Sequence, residues 1–75
     1  MTFKTITIRY GIASRSATVP DTHTVADVIL DTTNKVVLGY GDNVQAIIHG
    51  VPQGGTVVVP DGATVDIEAK ANEKA

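Results

Sequence analysis

Apolar and polar residues alternate along residues 2 to 10, TFKTITIRY. Ile6, Ile8 and Tyr10 share one face and Thr5, Thr7 and Arg9 the other, the period of two of a half-buried strand. Phe3 has the parity of the polar face. Gly11 punctuates the run. Ala13, Arg15, Ala17 and Val19 then alternate with Ser14, Ser16 and Thr18, which predicts a second strand joined to the first as a hairpin. Its apolar face is weak, which suits an edge position. Pro20 and Asp21 end the hairpin. Thr24 is a helix N-cap candidate with Asp27 three residues on, a start resembling a capping box. Val25, Val28, Ile29, Thr32 and Val36 recur at helical spacing. Asp27, Asp31 and Lys35 take the opposite face, with Asp31 and Lys35 spaced to pair. The pattern predicts one helix, stopped by Gly39 and Gly41. Its β-branched residues make it depend on docking against a sheet.

Val44 to Ile48 is predicted as a third strand, His49-Gly50 as a turn, and Thr56 to Val59 as a short extended run. Between these lie Val51-Pro52 and a Gln53-Gly54-Gly55 loop. Pro60-Asp61-Gly62 is turn chemistry: proline fixes φ, aspartate bonds nearby backbone and glycine accepts positive φ. The final strand spans about Thr64 to Lys70, with Val65, Ile67 and Ala69 on its apolar face. It is expected to pair in parallel beside the first strand. This order predicts an α+β domain over residues 1–70, with one helix packed across one face of a mixed sheet of four to five strands. Residues 71–75 read as a short polar tail.

Three motifs carry a family resemblance. Thr24-Val25-Ala26-Asp27-Val28 resembles the "T-V-x-[DE]-L" helix opening of β-grasp domains. Ala46-Ile47-Ile48-His49-Gly50-Val51-Pro52 is similar to their "V-x-V-N-G-x-x-V" hairpin, with His49 where asparagine is usual. Pro60-Asp61-Gly62-Ala63-Thr64-Val65-Asp66-Ile67 resembles their "L-x-D-G-D-x-V-x-I" ending, with Ala63 in place of the second aspartate. The resemblance covers roughly residues 2 to 70. It is to the ubiquitin-like superfold, including the sulfur carriers of thiamine and molybdopterin synthesis and TGS domains. It implies a β-grasp fold and a partner-binding sheet face. Carriers and conjugated relatives end in a free Gly-Gly. Here Gly54-Gly55 is internal and the sequence ends Asn72-Glu73-Lys74-Ala75, so carrier activity is not expected.

Composition narrows the function classes. A 75-residue chain buries roughly 60% of its unfolded surface, so its core is marginal and a partner would add stability. There is no cysteine, hence no disulfide framework or thiolate metal site. The six Lys and Arg residues are scattered and the net charge is -2, which argues against a nucleic-acid interface. No apolar run approaches the about 20 residues of a membrane span, and no signal-peptide pattern opens the sequence. The expected location is cytoplasmic, with no cofactor and no metal.

Little catalytic chemistry survives scrutiny. His23 and His49 have no acidic or thiol cluster for a metal. Nothing in the sequence supports a triad geometry for Ser16, Asp21 and His23, and a domain of this size has little room for a shielded pocket. Gly39-x-Gly41 follows a helix, whereas a phosphate loop precedes one. His49 can be a ligand or a pH-sensitive contact, but a turn before glycine more simply uses its tolerance of positive φ.

Apolar residues of outward parity are the better candidates. Phe3, Ile47 and Val58 would form an interaction patch if they shared the open sheet face, with His49 beside them. Strand addition along residues 13 to 19 is a further route. The expected function is a small non-catalytic module for protein interaction or self-assembly, through that face or an edge strand. The alternative is a relative of the sulfur carriers that lacks the tail and keeps only docking to a biosynthetic enzyme.

Overall fold

The structure is a computed structural model that describes residues 2–70. Two strands open the chain, β1 (Phe3–Tyr10) and β2 (Ala13–Pro20). They pair antiparallel without interruption from Phe3↔Pro20 to Tyr10↔Ala13. The turn between them is Gly11-Ile12. Gly11 has φ 62 and Ile12 does not share the positive φ, the geometry of a type II′ turn with glycine first.

The predicted single helix is two helices. The first, α1 (Val25–Leu30), is entered through a complete capping box. The Thr24 hydroxyl accepts from the Asp27 N–H, and the Asp27 carboxylate accepts from the Thr24 N–H. The second, α2 (Thr32–Leu38), begins after Asp31, whose ψ of 119 takes the chain out of helical geometry. The Asp31 carboxylate accepts from the Thr33 N–H and caps α2. The spacing suggested a pair between Asp31 and Lys35, but Asp31 serves as the cap and Lys35 binds Asp42. The break also shifts the helical phase. Val36, expected on the buried stripe, is 75% exposed, while Asn34 and Leu38 turn inward. Gly39, at φ 84, closes α2 in the left-handed cap that glycine tolerates best.

The remaining strands are β3 (Val44–Ile48), β4 (Val51–Gln53) and β5 (Thr64–Ala69). The sheet order is β2-β1-β5-β3-β4. As expected, β5 runs parallel to β1, and it is antiparallel to β3. The short strand predicted at Thr56–Val59 falls earlier, at β4. The later run makes a single bridge, Thr24↔Val58, because its backbone serves α1. The Val25 and Ala26 N–H groups, which have no partner within the helix, donate to the carbonyls of Val57 and Gly55. A side chain at Gly55 would meet the Ala26 Cβ at 3.3 Å, so this approach favours glycine.

The core lies between the helices and one face of the sheet. Ile6, Ile8, Val25, Val28, Val59 and Val65 are its largest fully buried side chains. Three of them, Ile6, Ile8 and Val65, come from the predicted apolar faces of the first and last strands. Where α1 ends early, side chains join the Asp31 N–H, which donates to the Val28 carbonyl, in satisfying its last carbonyls. Asn34 Nδ2 donates to the Val28 carbonyl, and the Tyr40 hydroxyl bonds the carbonyls of Val28 and Ile29. Burial raises the pKa of that hydroxyl, so it stays protonated and able to donate. The Tyr40 ring also packs against Tyr10 with centroids 5.8 Å apart.

Candidate functional site

The four residues singled out from sequence do not come together. The open face of the sheet carries a row across all five strands: Ser14, Arg9, Asp66, Ile47 and Pro52. Ile47 is half-buried in that row. Its neighbour Asp66 makes a 3.4 Å ion pair with Arg9, so charge flanks it on one side and Pro52 on the other. Phe3 has the same outward parity and is 60% exposed, but it sits opposite Pro20 near the other end of β1. Six residues of strand, at about 3.3 Å each, put Phe3 about 20 Å from the Ile47 row. Between them the face is Thr5, Thr7, Ser16, Thr18 and Thr64, which is polar.

Val58 lies off the sheet. It is exposed beside the start of α1, in the bridge to Thr24. His49 occupies the turn between β3 and β4 with φ 55, followed by Gly50 at φ 77. Two successive positive φ values make a type I′ turn, the geometry for which Asn-Gly is the usual pair. A backbone role thus accounts for His49 standing where the resemblance has asparagine. Its side chain is exposed.

Sequence patterning alone does not single out Lys4, which is only 6% exposed. It has the inward parity of Ile6 and Ile8. Its ammonium donates to the carbonyls of Asp21, His23 and Val59 and satisfies all three of its N–H donors. The parity was the available signal; lysine's rarity in cores hid it. Lys4 thereby ties the end of β2 to the segment before β5.

The most distinctive surface is the free edge of β2. The Thr7 N–H donates to the Ala63 carbonyl and the Gly62 N–H to the Thr5 carbonyl, so the odd residues of β1 turn their backbone away from β2. The even residues then bond β2, at Ala13, Arg15, Ala17 and Val19. Ser14, Ser16 and Thr18 are left with N–H and C=O pointing outward, without a backbone partner among the described residues. No bulge interrupts this edge, and no charged side chain lies on its open face. Its one cation, Arg15, reaches back over the helix side to the Asn34 side-chain oxygen. That bond places α2 above the edge strand.

One side of α2 is fixed by the 2.5 Å pair between Lys35 and Asp42, which lies in the loop leading into β3. Helix geometry of about 100° per residue puts Thr33 and Val37 on the opposite side, toward the free edge of β2. Val37 is 57% exposed. The helix side beside the edge thus carries one exposed apolar residue, Val37. Among the described residues no enclosed cavity forms, and no three His, Cys, Asp or Glu side chains gather in metal-binding geometry.

No protein-family model matches the sequence, and no curated protein matches it. Solved structures do. A ubiquitin-like domain of an Arabidopsis thaliana protein superposes with a TM-score of 0.71 at 12% identity, covering 100% of this chain and 85% of that one. Caldiarchaeum subterraneum ubiquitin gives 0.72 at 17% identity, covering 96% and 99%. The N-terminal ubiquitin-like domain of the 4931431F19Rik protein gives 0.70 at 11%, covering 97% and 80%. Identities this low bear on the fold alone and do not single out the sulfur carriers. With the sheet order and the helical layer, they establish that the chain has the ubiquitin-like β-grasp fold.

Proposed function

We propose that this chain is a non-catalytic module for protein interaction or assembly, working through the free edge of β2. Ubiquitin-like domains commonly act by binding other proteins, and the fold supports that class of function. The observation that carries the choice of surface is the uninterrupted eight-residue edge, with the backbone of Ser14, Ser16 and Thr18 directed outward. An extended segment added there gains main-chain hydrogen bonds at once, and Val37 of α2 offers an apolar side-chain contact beside it. The open sheet face is the competing surface. It offers Ile47 and Pro52 but lacks a contiguous apolar patch, since Phe3 and Val58 lie elsewhere.

A displayed library of random peptides, selected on the protein, tests the choice. Edge binding protects the amides of Ser14, Ser16 and Thr18 from hydrogen exchange and is lost in Ser16→Pro. The Ser16 N–H points outward, so proline there blocks an added strand while leaving the β1 ladder bonded. Peptides that instead bind Ser16→Pro normally, and are lost in Ile47→Asp, would move the function to the open face.

A further inference from the structure

The outward backbone of β2 is self-complementary, and we infer that its occupant is a second copy of this chain, paired antiparallel about a two-fold axis at Ser16. The inference rests on the edge reading above and names what fills the edge. Pairing identical antiparallel strands through Ser14, Ser16 and Thr18 allows only a few registers. Centring on Ser16 sets Ser16 opposite its own copy and Ser14 opposite Thr18 of the other chain. Every outward N–H and C=O of these residues is then matched. Centring on Arg15 sets two guanidinium-bearing residues directly opposite each other, a repulsive pair. Centring on Ala17 sets Ser14 against Pro20, which has no N–H to give. Centring on Ser14 or Thr18 leaves part of the edge unmatched. Charge and proline placement thus select one register out of the set.

Side chains agree with it. On the open face the facing residues are Ser14, Ser16 and Thr18, small hydroxyl groups that let the strands approach. On the helix face Arg15 meets Ala17, and Ala13 meets Val19. A two-fold axis perpendicular to the sheet keeps both helical layers on one side of a continuous sheet. The flanks bearing Thr33 and Val37 then face each other across the axis. This arrangement covers Val37, which is 57% exposed, while Val36 stays in solvent.

The absence of cysteine from the chain makes the register directly readable. Facing residues of a hydrogen-bonded antiparallel pair have Cα atoms about 5.5 Å apart, within disulfide reach. Under mild oxidation Ser16→Cys is expected to form a linked dimer. Ser14→Cys and Thr18→Cys should stay largely monomeric alone and link when mixed. Light scattering of the unmodified protein should show a concentration-dependent dimer, weakened about tenfold by Val37→Asp. A monomer at every concentration would overturn the second copy as occupant, and linking of Ser14→Cys alone with none at Ser16→Cys would overturn the two-fold axis at Ser16. A dimer that persists in Ser16→Pro overturns it as well. A monomer that still binds selected peptides at Ser14, Ser16 and Thr18 removes this inference while leaving the edge reading standing. Loss of both removes both.

Discussion

The two edges of the sheet are built on opposite principles. At one end β4 is three residues long, with Pro52 at its centre. Ile48↔Val51 closes the two-residue turn, so the nitrogen of Pro52 points away from β3 toward solvent. Proline there removes the outward donor without costing the ladder a bond, a common way to blunt an edge. At the other end β2 runs eight residues with a full set of pairs to β1, and its outward positions are Ser, Ser and Thr. Its own proline, Pro20, stands only at the end. The one cation that could deter a neighbour is drawn back to Asn34. A chain that blunts one edge and leaves the other open has the means to guard both. The difference marks β2 as the edge on which pairing is tolerated.

The largest effect is expected where the open edge is anchored. Lys4→Met takes a donor from the carbonyls of Asp21, His23 and Val59, and leaves those of Asp21 and Val59 without another among the described residues, whereas the His23 carbonyl keeps the Val59 N–H. It should cost about 3 kcal/mol, seen as a lower urea midpoint. An unchanged midpoint would show that the β2 end needs no such tie. Asn34→Ala comes next. It takes a donor from the Val28 carbonyl and releases Arg15, at about 1.5 kcal/mol. The freed guanidinium should then guard the edge and weaken any strand addition. Binding unchanged in this variant would separate the edge from the Arg15 contact.

Acid should act elsewhere, at the helix entry. Hydrogen bonds from the Thr24 backbone and hydroxyl hold the Asp27 pKa below its ordinary value. Its contribution is therefore present above the unfolded carboxylate value, near 4, and is lost as pH falls through the lower folded value. Asp27→Asn should flatten stability against pH in that acid window and leave the β2 edge unaffected. Pro52→Ser is expected to change least, within about 0.5 kcal/mol, because it restores only an outward donor on a short strand. New association through β4 in this variant would show that proline alone kept that edge closed.

How much was legible follows from where each signal is local. Period two in residues 3–10 and 64–69 and the His49-Gly50 turn depend on neighbours in sequence, and they were read correctly. The capping box at Thr24 is equally local. The break at Asp31 is not legible in the sequence because its position also fits the solvent face of a longer helix. The capping bond to Thr33, the Asp31 N–H on the Val28 carbonyl and the donors Asn34 and Tyr40 make stopping there stable. Helical spacing puts Val36 on the buried stripe of one long helix, and the phase shift turns it out. Thr56–Val59 looked like a strand because its valines fit one, but the start of α1 claimed its carbonyls. The candidate surface was half visible. The polar face of β2 suggested an edge, whereas the outward phase of Ser14, Ser16 and Thr18 required the bonds of Thr5 and Thr7 to the other side.

The way α1 is capped has a consequence in time. Its first two N–H groups find partners only in Gly55 and Val57, about thirty positions later in the chain. A helix of six residues is too short to persist alone. The β1–β2 hairpin closes through neighbouring residues and can form early, while α1 waits for the segment that seals it. During synthesis the hairpin therefore emerges with its outer strand unpaired before the layer above it has set. Encounters between nascent chains at that stage fall on the same edge that the finished protein leaves open.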